Sequence, residues 1–409
     1  MTNNEIFLLA LILIMGVPWA IWRLLGDDDR APLVVVQIFV GVLLGPGVLG
    51  VALPDLHHRL FTPETIGALN GIALWAVMLF VWLAGIELDM GQAWAARRDS
   101  WITAGFALAT PLALGSVAGW LILRQPGWIG PHAREWQAVL GIGMACAVTA
   151  LPILLLLMER LEILRLPLGQ RVLRYASLDD IAIWAVLAFI LLDWTRMERQ
   201  LCFALLFPFA AWGVRWMIRR IASTERLRLS MLWLAIAGFS ADWAGLHFMV
   251  GAFLAGVILD RDWFDPESLD RLRDMLLLTI MPIFFLSTGL RTQWAMGGVD
   301  LIAVTLLLLA AAIGGKLLGV RIAGRLLGWP RGEASVIGWL LQTKALIMII
   351  FVNILLDRQI ISGATFTALL LMALASTMLT TPIVRRGLAG LPAQDGATPK
   401  ERTVVKPIS

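Results

Sequence analysis

The sequence predicts an all-α polytopic membrane protein of about 13 transmembrane helices, built as inverted repeats. Three observations carry the membrane reading. The chain is 59% hydrophobic and only 15% charged, with a mean hydropathy of +0.82; soluble domains run at about 45–50% and about 25%. Apolar runs of about 20 residues, the length a helix needs to cross a bilayer, recur along the chain. Lys and Arg also alternate between successive connections in the way that fixes membrane topology.

The predicted spans lie near 5–25, 32–52, 65–87, 101–123, 137–158, 173–193, 199–218, 229–246, 247–260, 274–291, 299–320, 335–356 and 361–384. The first has no basic residues ahead of it, only Asn3, Asn4 and Glu5, and its length suits a spanning helix rather than a cleaved signal. The split at Leu246 rests on the small-residue stretch Ser240–Gly245 inside a nearly continuous apolar run. The odd-numbered connections and their helix edges hold 18 Lys and Arg, the even-numbered ones 7, and the C-terminal tail 5. The basic side faces the cytoplasm, so the N-terminus is expected outside and the C-terminus inside, in the inner cell membrane. Residues 385–409 read as a short disordered cytoplasmic tail with no soluble nucleotide-binding domain.

Two strings recur. Val40-Gly41-Val-Leu-Leu44 in the second span resembles Val250-Gly251-Ala-Phe-Leu254 in the ninth, and Phe80…Gly85 in the third resembles Phe284…Gly289 in the tenth. An odd number of helices separates each pair, so the copies run in opposite directions. Inverted repeats are a typical build of secondary transporters, with the site between the repeats.

Few charges sit deep in apolar runs, where each costs roughly 2.5–3.5 kcal/mol on insertion scales. They are Asp179, Asp180, Lys316 and Lys344. Neighbours on a helix point about 100° apart, so of the two carboxylates one can pair with a fixed cation while the other faces an ion path. Like charges this close push their proton affinities apart, which suits a group that exchanges a proton for a cation. The alternative is a structural ion-pair cluster. Lys316, among Gly314, Gly315 and Gly319, needs an acidic partner, and Asp179 is the natural one. In the fifth span Pro152 follows Thr149 and clashes with the carbonyl of Val148. A mid-membrane unwound turn is expected there, its carbonyls and the Thr149 hydroxyl being hard ligands for Na⁺ or K⁺; a simple proline kink is the alternative. Lys344, seven helices later, is expected with Thr343 to support a second break, its charge neutralising the facing ends of two broken helices; a lysine that snorkels out is the alternative, against which its depth speaks. Arg215 and Asp242 lie near helix ends, where snorkelling explains them. His57, His58, His132 and His247 are read as surface or interfacial residues of the outer side. Cys146 and Cys202 read as small apolar fillers, with no metal or disulfide spacing.

The strings "VVVQIFVGVLLGPGVLG", "LFVWLAGIELDM", "AVTALPILLLLMERLEILRLPLGQ", "ASLDDIAIWAVLAF", "HFMVGAFLAGVILD", "MPIFFLSTGL" and "QTKALIMIIFVNILLD" occur in one order from about Pro32 to Pro382. Together they resemble the monovalent cation:proton antiporter-2 family of the sodium/proton exchanger superfamily. The resemblance implies a transmembrane antiporter domain over residues 1–384. Its scaffold and dimer part would cover about 1–90 and 226–295, its mobile core about 100–195 and 299–384, with a linker helix at about 199–220. The core would move like an elevator, spans 5 and 12 being the two broken helices that cross in the sodium/proton antiporter fold. It further implies that Asp180 binds the cation or the proton, that Asp179 pairs with Lys316, and that an Asp-Asp pair goes with electrogenic exchange. The chain departs from the family pattern at Gln37, where a glutamate is common, at Lys344 and Ala345, where Arg-Gly is usual, and around Met348, where an acidic residue is usual.

The expected function is therefore exchange of Na⁺ or Li⁺ for protons by a homodimer in the lipid membrane. K⁺/H⁺ antiport is the alternative within the class; a channel-like or sensor protein on the same fold is the alternative outside it. A net charge of +4 is too small a surplus to suggest nucleic acid. The helices carry no nucleophile–base pair or metal motif, so neither an enzyme nor a cofactor is expected.

Overall fold

The computed structural model describes residues 2–24, 33–87, 98–150, 153–154, 157–158, 161–164, 166–192, 197–292, 298–330 and 332–389. Described helices are α1 (Asn3–Leu24), α2 (Leu33–Leu44), α3 (Leu49–Ala52), α4 (Pro54–Leu60), α5 (Pro63–Glu87) and α6 (Arg98–Leu123). Next come α7 (Glu135–Ala147), α8 (Pro167–Ile190), α9 (Met197–Arg220), α10 (Ser223–Trp243), α11 (Phe248–Val257) and α12 (Pro266–Met275). The last are α13 (Met281–Leu290), α14 (Gly298–Leu326), α15 (Glu333–Leu340), α16 (Ala345–Asp357) and α17 (Gly363–Ala389). Among the described residues, 8 helical segments are long and apolar enough to cross a membrane. The other predicted crossings fall on broken, shorter or more polar helices, so these elements alone do not fix the count of thirteen.

Several predicted spans change shape for local reasons. The second, expected over 32–52, stops at Leu44 because Gly45-Pro46-Gly47 turns the chain before α3. The split near Leu246 is present, with Gly245 at φ 87°, a left-handed conformation that glycine adopts without steric cost. The tenth is preceded by the charged helix α12 and entered through a π-helical segment, Leu276–Ile280, ahead of Pro282. The final helix continues to Ala389, five residues past its expected end; the rest of the expected tail, 390–409, lies outside the described residues.

Packing sorts most helices into two groups. In the first, α2 and α5 lie against α13, and α5 and α10 lie against α11. The recurrent strings sit in these contacts. Gly41 of α2 meets α13 so closely that an added Cβ would lie 3.0 Å from Leu286 Cα, and Gly289 meets Gly41 in return. On α5, a Cβ at Gly85 would lie 2.5 Å from the Phe253 carbonyl oxygen of α11, and Gly256 meets Trp82 and Gly85. Each string of the first half thus packs on a helix carrying a string of the second, an exchange of partners that antiparallel repeats produce. In the second group α6 runs along α14 and α7, and α8 packs on α6 and α7; α14 packs on α15 and α17, and α16 on α17. Gly315 of α14 approaches Pro111 of α6, and Gly143 of α7 approaches Leu112 and Ser116. Where helices gain no hydrophobic drive from lipid, such close backbone contacts hold them together.

Gly256→Leu should therefore unfold the first group early. Overpacking typically costs about 1–3 kcal/mol, and here the obstacle is backbone. Thermal unfolding of detergent-purified protein should show a clear drop in Tm, whereas Gly67→Ala, with nothing within 4 Å of an added Cβ, should not move it.

The outer surface of the bundle is apolar. Leu8, Ile12, Met15 and Trp19 on α1 are exposed, as are Leu205, Phe209 and Trp212 on α9. Faces of this size need lipid or protein against them.

Candidate functional site

The site is built where two helices stop short in the interior. α7 ends at Ala147, where the Val148 amide still donates to the Met144 carbonyl, and Val148–Ala150 then leave the helix, Val148 being extended at ψ 146°. Pro152 and its neighbour Leu151 lie outside the described residues, as does part of the segment beyond. α15 ends at Leu340, and Leu341–Lys344 are non-helical before α16 begins. The unwound stretches meet: the amide of Ala150 donates to the Thr343 carbonyl.

A helix C-terminus leaves four carbonyls without partners and carries about half a negative charge. Buried here, those of α7 are met by lysines. Lys344 Nζ donates to the Cys146 and Val148 carbonyls at 2.6 and 3.0 Å. Lys316 Nζ, reaching from α14, donates to the Ala147 carbonyl at 2.6 Å. The Leu341 carbonyl at the end of α15 is met by the Thr149 hydroxyl at 2.9 Å. Each break is thus satisfied in part by side chains of the other, and the first also by Lys316 of α14. Gln342 ties the second break to its surroundings, its side-chain amide donating to the Ala312 carbonyl at 2.8 Å and its backbone carbonyl accepting from the Ser376 hydroxyl at 3.0 Å.

The two carboxylates of α8 have different surroundings. Asp179 is 1% exposed and its Oδ2 accepts from Lys316 Nζ at 2.9 Å and lies 2.7 Å from the Thr149 hydroxyl. Asp180, one residue and 100° further round, is 4% exposed, and its Oδ1 has no hydrogen-bond partner. An ionised carboxylate held there without a counter-charge is costly. A proton or a monovalent cation removes that cost, and either one can do it. Among the described residues no cluster of three His, Cys, Asp or Glu side chains offers a multidentate metal site.

Of the residues singled out by sequence, Asp179, Lys316, Thr149, Thr343 and Lys344 converge here, with Asp180 beside them; Cys146 contributes only its carbonyl. Gln342 and Ser376 were not anticipated, because polar side chains in an apolar run carry no signal of what they bond. His247 departs from expectation. It is 3% exposed rather than a surface group, caps α11 by accepting from the Met249 amide at 3.3 Å, and faces Asp357 at 3.6 Å. Asp242 likewise does more than reach for water: Arg358 donates to it at 3.0 Å.

Comparison with known proteins follows the same lines. Residues 9–386 match the family described as "Sodium/hydrogen exchanger, transmembrane". The chain is 28% identical over 403 residues to the Na⁺/H⁺ antiporter NhaS4 of Synechocystis, covering 94% of this chain and 97% of that protein. It is 28% identical over 376 residues to cation/H⁺ antiporter 18 of Arabidopsis thaliana, covering 87% of this chain but 46% of the plant protein, so it spans less than half the length of that relative. The fold is that of the sodium proton antiporter MjNhaP1 from Methanocaldococcus jannaschii, solved at pH 8, with a TM-score of 0.59 at 13% identity over 94% of this chain and 96% of that one.

Proposed function

Because the chain belongs to the sodium/hydrogen exchanger family and is a multi-pass membrane protein, we propose that it is a secondary antiporter exchanging Na⁺ or Li⁺ for protons, with Asp180 as the group that holds one or the other. The observation that carries this reading is the asymmetry of the acidic pair: Asp179 is locked to Lys316 and Thr149, while Asp180 Oδ1 is buried without a partner. One site that takes a proton or a cation, never both, is what couples the two fluxes. One curated relative is named for Na⁺ and the other only for a cation, which leaves K⁺ as the ion to be compared.

The second packing group, which holds the site, acts as the moving core; the first acts as a scaffold and forms the contact of a homodimer, and α9 links them. The chain lies in the inner cell membrane with its N-terminus outside and C-terminus inside. A cation arriving at Asp180 loosens the Asp179–Lys316 bond, and Lys316 takes part in carrying the second proton. Exchange of two protons for one cation moves a net charge, to which a potential of about 100 mV contributes about 2.3 kcal/mol per cycle.

Purified protein in proteoliposomes with an entrapped pH dye tests the whole reading. Na⁺ or Li⁺ should drive an internal pH change larger than K⁺ does, and an imposed potential should alter its rate. Equal rates with and without the potential would remove the electrogenic step. Silence with all three cations, in vesicles shown to be tight and loaded, would remove antiport itself and favour a channel-like or sensing role.

A further inference from the structure

One polar cluster lies away from the Asp pair. It centres on the C-terminal end of α16, the helix that leaves the second break. Asp357 Oδ1 accepts from Arg291 Nη1 at 2.6 Å, and its Oδ2 lies 3.6 Å from His247 Nε2. Arg291 follows α13, and its Nη1 also reaches Asn353 Oδ1 at 3.2 Å. Asn353 Nδ2 in turn donates to Thr288 Oγ1 of α13 at 3.2 Å. The next residue, Arg358, donates through Nη2 to Asp242 Oδ1 at 3.0 Å and to the Leu246 carbonyl. One turn and a half of α16 is therefore tied to α13 and to the α10–α11 connection.

The arrangement has a direction. Asn353, Asp357 and Arg358 belong to the group that carries the Asp pair; Thr288, Arg291, Asp242, Leu246 and His247 belong to the other. The connections involved are even-numbered in the predicted topology and so lie on its outer side. At the opposite end Arg171 pairs with Glu333, joining α8 to α15, and Arg215 of the linking helix α9 pairs with Asp260 after α11. Thr288 and Asn353 are buried and Arg291 and Asp357 about one-third exposed, so these are charge-assisted bonds at the edge of water, stronger than neutral ones. Desolvation offsets much of the attraction in such pairs, so they are weak evidence of added stability.

We propose that Asp357 and Arg358 are a latch that keeps the outer side of the ion pathway shut, and that it must open before Asp180 can be reached from outside. The proposal rests on the antiport reading for its purpose, but its geometry is tested without transport.

The test uses full-length Asp180→Cys protein with Cys146→Ala and Cys202→Ala, reconstituted in one orientation. A membrane-impermeant maleimide is applied to the outer side. Labelling should be slow with the latch intact and at least tenfold faster with Arg291→Gln or Arg358→Gln. The charge swap Arg291→Asp with Asp357→Arg should return it towards the slow rate. Gel filtration identifies any variant that does not fold, and the two single variants break different arms, so either alone decides. Equal labelling with and without the latch overturns the proposal. Exchange in proteoliposomes carrying native Asp180 is read separately, so a failure of antiport leaves the labelling result standing.

Discussion

Asp180→Asn should abolish cation-driven proton movement, lowering the rate at least 100-fold, while leaving the protein folded. The substitution keeps the shape of the side chain and removes its charge. Asp180 Oδ1 makes no hydrogen bond in the structure, so the fold loses none there and detergent-purified Asp180→Asn should unfold at or slightly above the parent temperature. A neutral amide cannot exchange a proton for a cation near neutral pH, so binding of both fails together. The pairing of outcomes is diagnostic. Activity that survives would move the exchanging group elsewhere, and activity lost together with a collapse in Tm would make Asp180 a structural residue.

The opposite pattern is expected at the lysines. Lys316→Met removes the partner of Asp179 and the donor to the Ala147 carbonyl. Removing one member of a buried ion pair costs roughly 3–5 kcal/mol because the other charge stays buried. Combining Lys316→Met with Asp179→Asn removes that stranded charge, so the double variant should recover a good part of the lost Tm. Thr149 keeps a hydrogen bond to the amide oxygen of the new Asn. Lys344→Met should not be rescued this way. Its partners are the carbonyls of Cys146 and Val148, and each buried acceptor left unsatisfied costs about 1–3 kcal/mol with no side chain to neutralise. Thermal unfolding of the four variants separates the roles: a pair energy at Lys316, a helix-end energy at Lys344. Rescue of both lysine variants by Asp179→Asn, or of neither, would contradict this division.

The residues legible in the sequence are those whose cost is intrinsic. A carboxylate or ammonium group inside an apolar run is expensive wherever the helix lies, so Asp179, Asp180, Lys316 and Lys344 could be picked out before any contact was known. The glycine strings were legible for a related reason, since a missing side chain repeated in two oppositely directed segments implies two close backbone approaches. Gly41, Gly85, Gly256 and Gly289 make them, although Gly256 lies outside the matched strings and marks where the repeat has drifted.

Other features depended on partners distant in sequence. The break before Ala345 follows no proline or glycine; Leu341–Lys344 would continue a helix if read alone. It stays unwound because Thr149, Ser376 and Ala150 donate to the carbonyls of Leu341, Gln342 and Thr343, which a helix would have satisfied internally. Asp357, Arg358 and Asn353 sit at an unremarkable helix end, and only the fold brings Arg291, Asp242 and His247 to them. What the sequence by itself determined is where lipid must be and which charges must be compensated, because both follow from the solvation of single side chains. Which oxygen or nitrogen compensates each charge was decided by tertiary structure, because a hydrogen bond depends on two positions and a distance, and hydrophobic periodicity encodes neither.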